Sequence, residues 1–422
     1  MKISKKVLSN KLRIVTIPMK DNPTTTVLVL VSTGSKYEKK KLNGISHFLE
    51  HMCFKGTEKR PTSKRISSEL DSLGSAYNAF TSHEYTGYYA KADARHFKKI
   101  FDIITDIYLY STLPTREIEK EKGVIIEEIN MYQDMPHRNI QDLFLKLLYG
   151  DTPSGRNILG EKKTVQSLKR EDLLKYKKEQ YTTSDTVLVV VGNISEKEVI
   201  NEAKKVFGKC PTSKKREKEK INEHQKKPAI LLEYKKTDQA HLVLGFRTYG
   251  YFDKRVIKLS VLGSILAGGM SSRLFEKLRE EMGVGYYINA GNDSFSDHGF
   301  FQISAGVDKK RINEVIEVII NECKKLKEEL VPEDELKRAK EIIIGNMKFS
   351  LESTDDIASF YGGQEVLKKE LINVNEKARM IRQVSSDDLK KIANDIFKND
   401  RLNLALIGPF KDKQKFLELL KF

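Results

Sequence analysis

"TTTVLVLVSTG", residues 24–34, and "AHLVLGFRTYG", residues 240–250, decide the architecture. Each is a β-branched, apolar run that ends in turn residues, which is the pattern of a strand. Their surroundings match as well. "HFKKIFDIITDIYLYSTLPTREIEKEKGVIIEEINMYQD" (96–134) is answered by "RINEVIEVIINECKKLKEELVPEDELKRAKEIIIGNMKF" (311–349). In both, a helical pattern meets a Pro-led boundary and a second helix follows. "LVVVGNI" (188–194) is answered by "NLALIGPF" (403–410). The chain therefore reads as a duplicated α+β unit of about 200 residues, each unit a largely antiparallel sheet with helices packed on one face. The expected division is 1–208 and 229–422, joined by the charged, apolar-poor linker "KCPTSKKREKEKINEHQKKP" (209–228).

Bulk properties agree with two globular domains. The chain has 422 residues, 39% hydrophobic and 32% charged, too long for one ordinary core. Its net charge of +16 is spread among many acids. No nucleic-acid motif accompanies it, so a solvated surface is expected rather than a nucleic-acid partner. Cys53, Cys210 and Cys323 are odd in number and far apart, which suggests neither a disulfide framework nor a paired-cysteine metal site. No apolar run is long enough for a signal peptide or a membrane span. A cytoplasmic protein without a membrane partner is the expectation.

The first unit contains "HFLEHMCFKGT" (47–57) inside a helical pattern over roughly 43–55. Ile45, Phe48, Leu49 and Met52 form its apolar stripe, and His47, Glu50 and His51 fall on the other side. Histidines at i and i+4 stand one turn apart and can converge on one ion. Glu50 beside them is placed to take a proton from a metal-bound water. A third ligand is needed. The helix over 115–133 offers Glu121 and Glu128, two turns apart on one face, while Glu127 points about 100° away from Glu128. Glu128 is the chosen ligand and Glu121 the supporting carboxylate. The second unit provides an internal control. There "SVLGSILAGG" (260–269) places Ser260, Gly263 and Ser264 where the histidines and Glu50 stand, and Ala339 and Asn346 replace Glu121 and Glu128.

His47-Xaa-Xaa-Glu50-His51 followed by Glu121 and Glu128 resembles the inverzincin pattern, and more narrowly the pitrilysin-type M16 zinc peptidases. "GISHFLEHMCFKGTEKRPTS", "NAFTSHEYTGYYA", "EKGVIIEEI" and "LREEMGVGYY" resemble that family's signature stretches, in its order. The chain length resembles its short two-domain class, which includes the mitochondrial processing peptidase beta subunit and bacterial homologues. The resemblance implies a LuxS/MPP-like metallohydrolase fold and an endopeptidase with one zinc per chain. It implies ligands His47, His51 and Glu128, Glu50 as general base, and Glu121 in catalytic support. It further implies that Asn78, Ala79, Phe80 and Thr81 form an edge strand on which a peptide substrate adds as a β-strand. Arg279 and Tyr286 would support the scissile carbonyl and the developing oxyanion. The short class implies a homodimer around a closed chamber, with that pair facing the zinc of the other copy. The alternative is a non-catalytic scaffold of the same fold, as in respiratory-complex core proteins.

Overall fold

The computed structural model describes residues 2–212, 217–367 and 370–422. Two sheets carry the chain. The first has six strands in the order β1-β2-β6-β3-β5-β4: β1 (Ser4–Val7), β2 (Arg13–Pro18), β3 (Thr24–Val31), β4 (Ala76–Thr81), β5 (Thr86–Asp93) and β6 (Thr186–Gly192). The second has five in the order β7-β11-β8-β10-β9: β7 (Ala229–Tyr234), β8 (Gln239–Thr248), β9 (Gly285–Ser294), β10 (Gly299–Asp308) and β11 (Leu402–Gly408). Apart from the added β1, the two orders superimpose strand for strand. In both sheets the neighbours are antiparallel except for one parallel pair, β2 with β6 and β7 with β11. The duplication read from "TTTVLVLVSTG" and "AHLVLGFRTYG" is thus a duplication of topology. These stretches form β3 and β8, the middle strands of each set.

Helices cover one face of each sheet, as the two-layer pattern requires. The helix Phe97–Tyr110 packs on β3 and β5, and Val256–Ala267 packs on β9. The opposite faces are covered too, each by one helix that the sequence pattern does not assign. In the first unit it is Thr354–Leu367, whose Ile357, Ala358 and Tyr361 pack on Leu28, Leu30, Val187 and Val189. In the second it is Pro136–Tyr149, whose Ile140, Phe144 and Leu148 pack on Val243, Ala405 and Ile407. The physical reason lies in the strands. Every residue of β3 after Thr24 is buried, so both faces need cover.

Close approach is made possible by glycine on one side of each contact. A Cβ on Gly362 would stand 2.6 Å from Leu30 Cδ1, and one on Gly245 would stand 2.5 Å from Phe144 Cζ. Polar pins hold Thr354–Leu367 in place. Lys91 Nζ donates to Asp355 at 2.7 Å, Thr26 and Thr354 share a hydrogen bond of 2.8 Å, and Arg13 Nη1 donates to the Glu365 carbonyl at 2.5 Å.

The compact units therefore interleave along the chain. One is Met1–Asn130, Arg156–Glu219 and Ser350–Leu371, and the other is Met131–Gly155, Lys220–Phe349 and Ile372–Phe422. The expected division at 209–228 accounts for one passage between them; the covering helices add the others. Ser213–Arg216 of the expected linker lie outside the described residues. On either side, the linker is tied down. Lys218 pairs with Glu84 in the first unit, and Gln225 Nε2 donates to the Leu402 carbonyl at 2.9 Å in the second. Among the described residues no helix is long and apolar enough to cross a membrane.

Candidate metal centre

The helix Ile45–Cys53 carries the two histidines. Its apolar stripe is fully buried, with Ile45, Phe48, Leu49 and Met52 all at 0% exposure. The opposite side is not open to water as an amphipathic surface helix would be. His47 and Glu50 are 7% and 8% exposed. The start of the helix is built by two unusual features. Gly44 at the N-cap has φ +96°, and a Cβ there would lie 2.6 Å from the Leu159 carbonyl oxygen. Buried Glu38 accepts hydrogen bonds from the Gly44 and Ser46 amides, both at 2.8 Å, and from Asn43 Nδ2 at 2.9 Å. That carboxylate satisfies amides that the first helical turn leaves unpaired. Burial nonetheless pushes its pKa up, against the pull of these hydrogen bonds.

Glu128 comes from the helix Thr115–Asp134. Its Oε2 stands 3.7 Å from His47 Nε2 and 3.6 Å from His51 Nε2. The two imidazole centroids are 4.5 Å apart at 62°. One ligand atom from each of the three residues falls within 4.8 Å of the other two. Two nitrogens and a carboxylate oxygen at such separations suit an ion bound at ~2.0–2.2 Å from each. The donor set fits zinc and leaves a position for water, since no fourth protein ligand joins the group among the described residues. Glu127 is not in the group and instead accepts from Asn130 at 3.3 Å.

The surroundings act on the two imidazoles in opposite senses: burial would lower His51 as well, but the Glu121 hydrogen bond and the charges of Glu50, Glu121 and Glu128 raise it, whereas His47 is lowered. Burial, with His51 alongside, pushes the His47 pKa down to about 3, so the ring is neutral as a ligand must be. His51 Nδ1 donates to Glu121 Oε1 at 2.8 Å, which leaves Nε2 free toward Glu128. Lys55 Nζ stands 2.6 Å from the other oxygen of Glu121. Burial would raise the Glu121 carboxyl, but His51 and Lys55 hold it below its ordinary value. Glu121 thus backs the His51 ring and stands outside the group of three.

Glu50 is held from another direction. Its Oε2 accepts from Thr81 Oγ1 at 2.6 Å. Burial raises the Glu50 pKa, with the Thr81 hydrogen bond opposing. Thr81 is the last residue of β4, which among the described residues pairs only with β5 and is the edge of its sheet. Asn78, Ala79 and Phe80 precede it on that edge. Phe80 packs over Gly87, the residue opposite it on β5, and makes an edge-to-face contact with Tyr85 at 6.1 Å. Arg279 and Tyr286 belong to the second unit. Arg279 Nη1 reaches the Tyr286 carbonyl at 3.4 Å and lies over the Phe275 ring, and the Tyr286 side chain is exposed.

The second unit shows what the same frame looks like without these groups. Where His51 bonds Glu121, Ser264 Oγ donates to the Ala339 carbonyl at 3.0 Å. Where Glu50 reaches Thr81, Gly263 lets its helix ride against β9, and a Cβ there would stand 2.9 Å from the Ala290 oxygen. Neither the Thr81–Glu50 bond nor Lys55 is found by sequence reasoning. The only sequence signal for Lys55 is its position in "HFLEHMCFKGT", where the second unit has Gly268.

The comparisons with known proteins point to one peptidase family. The family description "Insulinase (Peptidase family M16)" matches residues 13–162, and "Peptidase M16 inactive domain" matches 167–343. An "uncharacterized zinc protease", YmxG, of Bacillus subtilis is 36% identical over 399 residues, 94% of this chain and 96% of its own. Another of that description from Streptomyces coelicolor is 31% identical over 418 residues, 98% of this chain and 91% of its own. Among solved structures, a protease from Helicobacter pylori aligns with a TM-score of 0.89 at 22% identity, over 97% of this chain and 99% of that one. A "peptidase M16 inactive domain" from Pseudomonas fluorescens aligns with 0.89 at 16% identity, over 98% and 100%. The chain belongs to peptidase family M16.

Proposed function

We propose that the chain is a zinc-dependent endopeptidase acting on peptides or unfolded segments laid along β4. One observation carries this reading. His47, His51 and Glu128 converge on a point, and a separate buried carboxylate, Glu50, is hydrogen-bonded to the last residue of a free edge strand. The names of the relatives support zinc as the metal. When bound, zinc would supply Lewis acidity toward a peptide carbonyl and make a water molecule acidic near neutral pH.

The chain's own groups would do the rest. The unpaired side of β4 offers main-chain donors and acceptors to an extended substrate. Thr81 holds Glu50 through Oε2, and the carboxylate so held would take the proton from water and later deliver it to the leaving amine. Glu121 holds the His51 ring in place through Nδ1. Arg279 and Tyr286 are assigned to the scissile carbonyl, and a homodimer is assigned to the assembly, on the family resemblance.

The test separates base from ligand. Metal-depleted protein should be inactive on a peptide mixture and regain cleavage with zinc. Glu50→Gln should lower kcat/KM by about 10²–10⁴-fold while zinc content stays near wild type. Full cleavage by Glu50→Gln, or cleavage insensitive to chelator, would sink the reading.

A further inference from the structure

Lys55 follows the histidine helix by two residues, and its position is fixed on both sides. Its amide donates to the Met52 carbonyl at 3.1 Å, closing the end of the helix. The Gly56 carbonyl next to it accepts the Thr112 amide at 3.0 Å and the Thr112 hydroxyl at 3.1 Å. Thr112 lies three residues before the helix Thr115–Asp134. The backbone that carries Lys55 is thereby stitched to the segment leading into the helix that carries Glu121. The Lys55 ammonium then closes the loop, 2.6 Å from Glu121 Oε2, while Glu121 Oε1 binds His51 Nδ1. Glu121 is almost fully covered, with 5% of its side chain exposed.

The two histidines differ in this respect. His51 has the Glu121–Lys55 chain behind it. His47 Nδ1 is buried with no hydrogen-bond partner among the described residues. A ligating imidazole is ordinarily oriented by an acceptor on its other nitrogen, and that acceptor is in turn held by its own partners. In the second unit both members of the chain are missing together: Gly268 stands at the position of Lys55 and Ala339 at that of Glu121.

We propose that Lys55 is a positioning residue of the metal centre, acting through Glu121 to make His51 the firmly held imidazole ligand. The proposal rests on the zinc-site reading above. The competing account is that the Lys55–Glu121 pair only clamps the helix tail to its neighbour. The two accounts differ in what removal of the ammonium does to metal affinity when the fold is intact.

The experiment titrates zinc into the metal-free full-length protein against a chromophoric chelator, and melts the same metal-free samples. Lys55→Met should weaken zinc binding about tenfold, with a melting temperature close to that of metal-free wild type. Lys55→Arg, which keeps the cation, should restore affinity to within about threefold. In a Glu121→Gln background, Lys55→Met should change affinity no further, because the effect passes through that carboxylate. If Lys55→Met does not fold, Lys55→Gln is read in its place by the same criteria. Wild-type affinity in Lys55→Met, or losses that add in the double variant, would overturn the role of Lys55 alone. A wild-type chain that takes up no zinc would overturn the zinc-site reading, and this proposal with it.

Discussion

Thr81 joins two duties in one side chain. It ends the edge strand, and its hydroxyl holds the carboxylate assigned as base. Replacing it with valine keeps the shape and removes the hydrogen bond. Thr81→Val should lower kcat about tenfold while zinc stoichiometry stays unchanged, as judged by turnover of a fluorogenic peptide beside metal analysis. Equal turnover would separate the strand from the base. At this scale the sequence is informative where chemistry repeats at helical spacing. His47, His51 and Glu50 lie within one turn and a half, and Glu128 shares a face with Glu121. The Thr81–Glu50 and Lys55–Glu121 contacts span 31 and 66 residues of chain, and no local period encodes them. Only the packed structure brings those atoms together.

The histidine helix depends on how it starts. Gly44 combines a left-handed backbone with a carbonyl at 2.6 Å from where its Cβ would be. Gly44→Ala should destabilise the protein by about 1–2 kcal/mol and weaken zinc binding with it, measured by denaturant melts and chelator competition. The helix Ser63–Asp71 is anchored by charge instead. Its Glu69 meets Arg60 at 3.1 Å, Arg65 at 2.7 Å and Lys99 at 2.7 Å. Burial would raise this carboxyl, but Lys99 and Arg60 pull it down to about 2 from its ordinary 4.5. A depressed carboxyl stabilises the fold fully above its unfolded value and loses that contribution as pH falls through the folded one. Thermal stability should therefore drop between pH 4.5 and about 2, and Glu69→Gln should flatten that part of the profile. An unchanged slope would mean the Glu69 ion pairs are silent. Strands were legible at this scale because β-branched runs identify them. The helices Pro136–Tyr149 and Thr354–Leu367 were not. In the second, Thr354, Gln364 and Glu365 are buried along with Ile357 and Tyr361, so polar residues fall on its covered side and blur the period. Which sheet a helix covers is a long-range choice that local pattern does not carry.

Over the whole molecule, the interleaved units make the two halves of the chain mutually dependent. The first sheet lacks a face without a helix from beyond residue 350, and the second without one from before residue 155. A protease site placed between residues 212 and 217 should yield fragments that stay together in native size-exclusion chromatography and part only in denaturant. Separation under native conditions would show that the covering helices contribute little. The duplication itself was plain in the sequence, because paired strands and helices recur in order; the crossing of helices between units was not, because each follows a well-matched element in either half.

Gly263 gives that duplication a direction. Its helix lies so close to β9 that a side chain would strike the Ala290 oxygen, so the room that holds Glu50 in the first unit has no counterpart in the second. Restoring a glutamate at 263 would have to push helix and strand apart before it could do any chemistry. The difference between the two units thus lies in the backbone as well as in the side chains. Building a comparable site in the second unit would therefore take a shift of backbone, and new side chains alone would not suffice.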